Sequence, residues 1–275
     1  MSRPHTGSAS RKAASDSRDA DGALRGGDAR SRWADVASQD GGTRSRGSHA
    51  DADSRGAAAA VTPTPAPEPV GEELRAAEEI FGDRLDLARR YVGHLSDSGI
   101  ERGLIGPREV PRLWARHVLN CAVVQELIPQ GVSVVDVGSG AGLPGLCLAL
   151  ARPDLSLTLV EPLERRVIWL DEVVRDLGLG DSVRILRGRG EQMVGEVEAD
   201  IVTARAVSAL GGLLDITLPI LRGTGQLLAL KGRSAEEEVR KARKKLSKYG
   251  ARETEILTVG DRLLSEPTTV VRVSL

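Results

Sequence analysis

The run Val134-Val135-Asp136-Val137-Gly138-Ser139-Gly140-Ala141-Gly142-Leu143-Pro144-Gly145, continued by Leu146-Cys147-Leu148-Ala149-Leu150, decides the fold. An apolar run, an acid, a glycine-rich turn and a second apolar run read as buried strand, tight loop and helix. Glycines at a strand-to-helix turn let the backbone approach a ligand closely, because no Cβ stands in the way. The expected ligand is a nucleotide-like cofactor.

Outward from this loop, strand and helix patterns alternate. Strands are expected over residues 133–137, 155–161, 183–187, 199–204 and 225–231, and helices over 143–151, 163–177, 208–221 and 235–249. Such alternation predicts parallel strands with helices on both faces of the sheet. Two last strands, 253–259 and 269–273, are joined by a connection short enough for an antiparallel hairpin. Ahead of the loop, residues 72–98 and 107–127 read as two helices, the second opening with Pro107, which suits a first helical turn. Residues 1–70 are rich in Ser, Arg, Asp, Ala and Gly and end in Pro63, Pro65, Pro67 and Pro69, the composition of a disordered tail. The expected plan is therefore a tail (1–70), an N-terminal helical extension (71–130) and an α/β domain (131–275).

Composition excludes several classes. No apolar run reaches the length of about 18 residues that a membrane span needs, and the N-terminus has no apolar segment of a secretory signal. Cys121 and Cys147 sit in apolar helical patterns and read as reduced core residues of a cytoplasmic protein; no ligand-spaced cluster suggests a metal. The formal net charge is −1, yet arginines gather ahead of the loop and after the later strands. That distribution suits either a solvated basic surface or phosphate recognition.

Ligands of an open parallel sheet lie at the carboxyl ends of its strands. The second strand ends in Glu161, about twenty residues beyond the glycines, where an acid can accept from ribose hydroxyls. Dinucleotide loops follow Gly-x-Gly-x-x-Gly, but here Leu143 takes the third glycine's place. Gly138-x-Gly140-x-Gly142 behind Asp136 instead looks like the first motif of Rossmann-like S-adenosylmethionine-dependent methyltransferases.

Further segments sharpen the likeness: Arg116-His117-Val118-Leu119-Asn120 before the loop, Leu143-Pro144-Gly145 within it, Arg205-Ala206 after the fourth strand and Leu230-Lys231-Gly232 after the fifth. The series resembles the bacterial small-subunit rRNA methyltransferase G family, also called glucose-inhibited division protein B, from about Gly82 to the C-terminus. The chain departs at Asn120, where the family commonly has an acid, and its first helix lacks the usual Asn-Leu-Thr ending. The resemblance implies a seven-stranded methyltransferase sheet with an N-terminal helical extension, S-adenosyl-L-methionine as cofactor, and methylation of N7 of one guanine in 16S rRNA. It also implies a cytoplasmic protein whose partner is 16S rRNA or the small ribosomal subunit; the oligomeric state stays open, with a monomer the expected form.

The cofactor positions implied are Gly138, Leu143, Gly190, Glu191 and Arg205, with Gly140 added from loop geometry and Glu161 from spacing. Arg205 and Lys231 are the expected contacts to rRNA phosphate or guanine O6. No general acid or base is assigned, because guanine N7 already carries an in-plane lone pair. Plainer readings stand beside these: ordinary turn glycines, a solvated strand-end acid at Glu161, a first-turn helix acid at Glu191, and structural ion pairs at Arg205 and Lys231. Trp114 and Trp169 read as core, and the charged segment from Glu236 to Lys248 as a solvated helix face that could also touch rRNA backbone. Rival functions are methyl transfer to a small molecule or protein, and a non-catalytic cofactor-binding module that docks on ribosomal precursors.

Overall fold

A computed structural model describes residues 66–275, so most of the expected tail lies outside the described residues. The described residues all belong to one compact unit. Its centre is a seven-stranded sheet ordered β3-β2-β1-β4-β5-β7-β6, with β1 Ser133–Val137, β2 Ser156–Glu161, β3 Val183–Arg187, β4 Ala199–Arg205, β5 Leu221–Lys231, β6 Glu253–Val259 and β7 Thr268–Ser274. The first five strands are mutually parallel, while β7 is antiparallel to both β5 and β6. The expected terminal hairpin is therefore present.

Alternation along each strand sorts side chains to two cores. In β1, Val134 joins the core on one face, and Val135 and Val137 join the other. The first core holds the N-terminal helices, with α3 (Gly145–Ala151) and α4 (Glu164–Asp176). The second holds α5 (Leu210–Thr217) and α6 (Ala235–Lys248). Five successive α3 residues, Leu146 to Leu150, are fully buried, because helices cover this one on one side and the sheet covers it on the other. Trp169 and Trp114 are core residues as expected, and their indole N–H groups donate to Ser98 Oγ (2.9 Å) and the Pro67 carbonyl (2.7 Å). Cys121 and Cys147 are free and buried.

The N-terminal region is more segmented than its periodicity predicts. Residues 72–98 break into α1 (Glu72–Phe81) and α2 (Leu85–Ser96) at Gly82, whose φ of +49° an α-helix does not accommodate, and a 3-10 turn, Gly82–Arg84, joins the two. Residues 107–127 do not form one α-helix. A 3-10 stretch carrying Pro111 leads into a π-wound segment, Leu113–Leu119, then one short α turn and a final 3-10 stretch. Proline removes a donor from the helical ladder, and the wider π turn exposes carbonyls to outside partners. Arg102 pairs with Glu172 (2.6 Å) and Arg90 with Asp176 (2.9 Å), tying this region to α4.

Candidate cofactor and substrate site

Asp136 organises the glycine loop. Its side chain is fully buried; Oδ2 accepts the Gly145 N–H at 3.1 Å and Oδ1 accepts the Thr203 hydroxyl at 3.0 Å. Burial pushes its carboxyl up to about 6. A Cβ on Gly145 would stand 2.3 Å from Leu159 Cδ2 and 2.8 Å from Asp136 Oδ2, so the start of α3 must be bare for the acid to reach it. The loop between turns on Gly138, Gly140 and Gly142, at φ +72°, +58° and +81°.

Glu161 lies beneath this loop and is 1% exposed. Its Oε2 accepts the Gly140 N–H (2.9 Å) and its Oε1 accepts the Leu163 N–H (3.0 Å). The solvated-acid reading therefore fails: the carboxylate holds the loop to the end of β2. Arg166 of α4 leans over the same point, with Nη1 at 3.7 Å from Glu161 Oε2 and Nε buried without a hydrogen-bond partner. An orphaned donor beside a carboxylate with further lone pairs suits a ribose diol, which both donates and accepts. Gly140 is uncrowded: a Cβ there would lie 3.9 Å from both Arg166 Nη1 and Gly138 O. The residues present thus fit the nucleoside part of S-adenosylmethionine.

Leu143 is buried in the loop, its N–H donating to Ser139 O at 3.0 Å. Gly190, after β3, packs so closely that a Cβ would lie 3.0 Å from Val137 Cγ1, which sets this turn beside the end of β1; Glu191 beside it is exposed. Gly138, Gly140, Leu143, Glu161 and Gly190 are thereby gathered around the ends of β1 to β3.

Arg205 and Lys231 end neighbouring strands, but strand alternation sends them to opposite faces. Arg205 enters the side of the N-terminal helices. Its Nη2 donates to His117 Nδ1 (2.8 Å), and its Nη1 approaches Cys121 Sγ (2.9 Å). His117 must then carry its proton on Nε2, which donates to Glu109 Oε2 at 2.9 Å. Burial holds the His117 pKa below its ordinary value, although Glu109 pulls it upward. Burial pushes the Cys121 thiol the other way, up, but the Cys147 hydrogen bond and the Arg205 guanidinium outweigh it and leave it lowered. Lys231 turns the other way: Nζ donates to Ser208 O (2.7 Å) and pairs with Glu238 Oε2 (2.9 Å). Glu238 in turn accepts the Leu210 N–H that opens α5 and the Ser234 hydroxyl. The ion-pair reading thus describes Lys231 in this structure.

Sequence reasoning passed over several participants. Tyr91 of α2 is fully buried, and its hydroxyl donates to the Ala141 carbonyl at 2.6 Å, bracing the glycine loop from the N-terminal region. Its helical spacing marks only a core position. His117 and Asn120 lie in the quoted Arg-His-Val-Leu-Asn segment, but nothing in that segment names their partners. Asn120 donates Nδ2 to the Glu266 carbonyl (2.9 Å), a bond an ionised acid could not donate. Above Arg205 and Lys231 a cleft of about 920 Å³ opens, lined also by Arg116, Val207, Arg233 and Glu266.

Comparison with known proteins gives the same direction. The protein-family model described as rRNA small subunit methyltransferase G matches residues 84–265. Ribosomal RNA small subunit methyltransferase G of Pseudarthrobacter chlorophenolicus is 71% identical over 201 residues, covering 73% of this chain and 93% of that protein. The proteins of the same description from Paenarthrobacter aurescens and Thermobifida fusca are 65% and 54% identical, over 75% and 73% of this chain and 95% and 84% of theirs.

Proposed function

The chain belongs to the rRNA small subunit methyltransferase G family, and from that premise we propose that it transfers a methyl group from S-adenosylmethionine to N7 of a guanine in 16S rRNA. The observation that carries the reading is the Asp136–glycine loop–Glu161 arrangement beside an open cleft at the ends of β4 and β5, the two meeting where Gly138 packs on Val207 of the cleft. Gly138, Gly140, Leu143, Glu161, Gly190 and Glu191 would hold the cofactor, with Arg205 at its boundary with the substrate. When bound, the cofactor supplies an electrophilic methyl on a sulfonium.

The residues of the chain bind and orient. Guanine N7 presents its own lone pair, so no side chain has to remove a proton before attack. What remains is holding nucleophile and methyl at near-attack separation, about 3–3.5 Å, which can supply several kcal/mol of the barrier. Glu161 and Tyr91 fix the loop from below and from the side, and His117 fixes the Arg205 guanidinium. No helix among the described residues is long and apolar enough to cross a membrane, and a cytoplasmic location alongside ribosomes accords with the substrate.

The test is methyl transfer from radiolabelled S-adenosylmethionine to small ribosomal subunits, deproteinised 16S rRNA, and a mixture of cell protein and metabolites. Label recovered as 7-methylguanine in 16S rRNA is the expected result. Label confined to protein or small molecules would overturn it.

A further inference from the structure

We propose that Arg116 and Arg233 together grip the phosphodiester backbone flanking the nucleotide to be modified; this deepens the rRNA-methylating reading above and rests on it. The cleft over β4 and β5 is large, at the upper end of the range of about 300–1,000 Å³ usual for a small-molecule pocket. Four cationic side chains line it: Arg116, Arg205, Lys231 and Arg233. Two of them are already engaged inside the protein. Lys231 faces Glu238 and the Ser208 carbonyl, and its side chain is only 10% exposed. Arg205 is bound to His117 and Cys121.

Arg116 and Arg233 differ in each respect. Both are exposed, and among the described residues neither has an acid within ion-pair distance. They come from separate elements. Arg116 lies on the π-wound segment beside His117, and Arg233 on the turn between β5 and α6. The segment bearing Arg116 is itself anchored, since the Arg116 and His117 carbonyls lie 3.5 and 3.4 Å from the Arg205 guanidinium. The acids on the cleft are Glu238, paired with Lys231, and Glu266, so the lining keeps a positive balance. Arginine donates to phosphate oxygens in a planar fork, the recognition chemistry that a nucleic-acid backbone requires. The cleft contains no aromatic side chain on which a splayed base could stack. Holding the backbone on both sides of the base is then the available means of keeping it in place.

The experiment compares wild type with Arg116→Gln, Arg233→Gln and the double variant, using deproteinised 16S rRNA and small subunits as probes. Each single variant is expected to raise the KM for RNA roughly 3- to 10-fold with kcat at saturation retained, and to flatten the log-affinity against log-salt slope by about 0.7 per lost phosphate contact. The double variant should lose about twice that slope. Lysine at either position should restore it, because the charge returns. S-adenosylmethionine affinity, read by calorimetry, should stay at the wild-type value, which a misfolded cleft would not allow. Arg184→Gln, exposed near the start of β3 and outside the cleft lining, serves as a charge-matched control with an unchanged slope. A double variant with the wild-type KM and salt slope would overturn the proposal while leaving the enzyme's activity on rRNA intact. An equal loss in the Arg184 control would also overturn it, in favour of diffuse attraction. Failure of wild type to label rRNA at all would remove the underlying reading instead, and the clamp with it.

Discussion

Glu161→Gln is the sharpest perturbation of the cofactor side of the site. Glutamine has the same shape, so packing under the loop is kept. In the wild type both carboxylate oxygens accept backbone N–H groups, Gly140 at 2.9 Å and Leu163 at 3.0 Å, at a position 1% exposed. An amide has one oxygen and one NH2 group, so in either flip an N–H is opposed to another N–H. One hydrogen bond to a charged group, worth about 1.5–3 kcal/mol, is lost, and a buried donor is left unpaired; together roughly 2–4 kcal/mol. One kcal/mol moves the midpoint by about 2–4 °C in a domain of this size, so thermal unfolding should fall by on the order of 10 °C. The Gly140 end of the loop loses its tether at the point where a ribose would sit. Calorimetric titration with S-adenosylmethionine should therefore show at least tenfold weaker binding, the equivalent of about 1.4 kcal/mol. A variant that unfolds within one degree or so of wild type and binds the cofactor equally well would refute both the tether and the ribose role.

Other outcomes follow from the same geometry. Tyr91→Phe strips the Ala141 carbonyl of its partner in a buried place and should lower stability by about 1–3 kcal/mol in urea unfolding at unchanged m-value; an unchanged midpoint would contradict the bracing role. Gly145→Ala drives a methyl to 2.3 Å from Leu159 Cδ2 and should destabilise by about 1–3 kcal/mol or more, read as a fall in melting temperature. Asp136 should titrate near 6 by carboxyl carbon NMR. Because its folded pKa lies above the unfolded value of about 3.9, its contribution to stability falls as pH rises through that window and is least favourable above it; a titration below pH 4.5 would refute this. Protonating His117 removes the acceptor for Arg205, so transfer should decline on the acid side with an apparent pKa below that of free histidine. Glu109→Gln should move that limb to still lower pH, because Glu109 favours the charged imidazole; a limb moved upward would be incompatible with the arrangement.

The central sheet was readable because local pattern and tertiary fate agree there. Residues 133–137, 183–187 and 253–259 are strands with the limits their apolar runs predict. The glycine loop and its acid were equally readable, since turn chemistry and strand order require them at fixed spacing. The N-terminal region was less so. Its winding is set by Gly82, by Pro111 and by carbonyls drawn toward Arg205, and the last of these is a contact across 88 residues of sequence. Arg205 and Lys231 show a different gap. Their adjacency at the strand ends suggested a shared ligand, yet the two-residue period of β4 and β5 already placed them on opposite faces, with Leu230 and not Lys231 in register with Arg205. The internal partners Glu238 and His117 come from distant segments and left no mark on the local pattern.

Tyr91 and His117 carry one more implication, for protein engineering. The region ahead of β1 cannot be treated as an interchangeable targeting head fitted to a self-sufficient catalytic cassette. Chimaeras that trade this region between methyltransferases would have to transplant the phenol over Ala141 and the imidazole–thiol seat for Arg205 along with it. A graft lacking them would leave the recipient's ligand loop unsupported, even where its own residues were untouched.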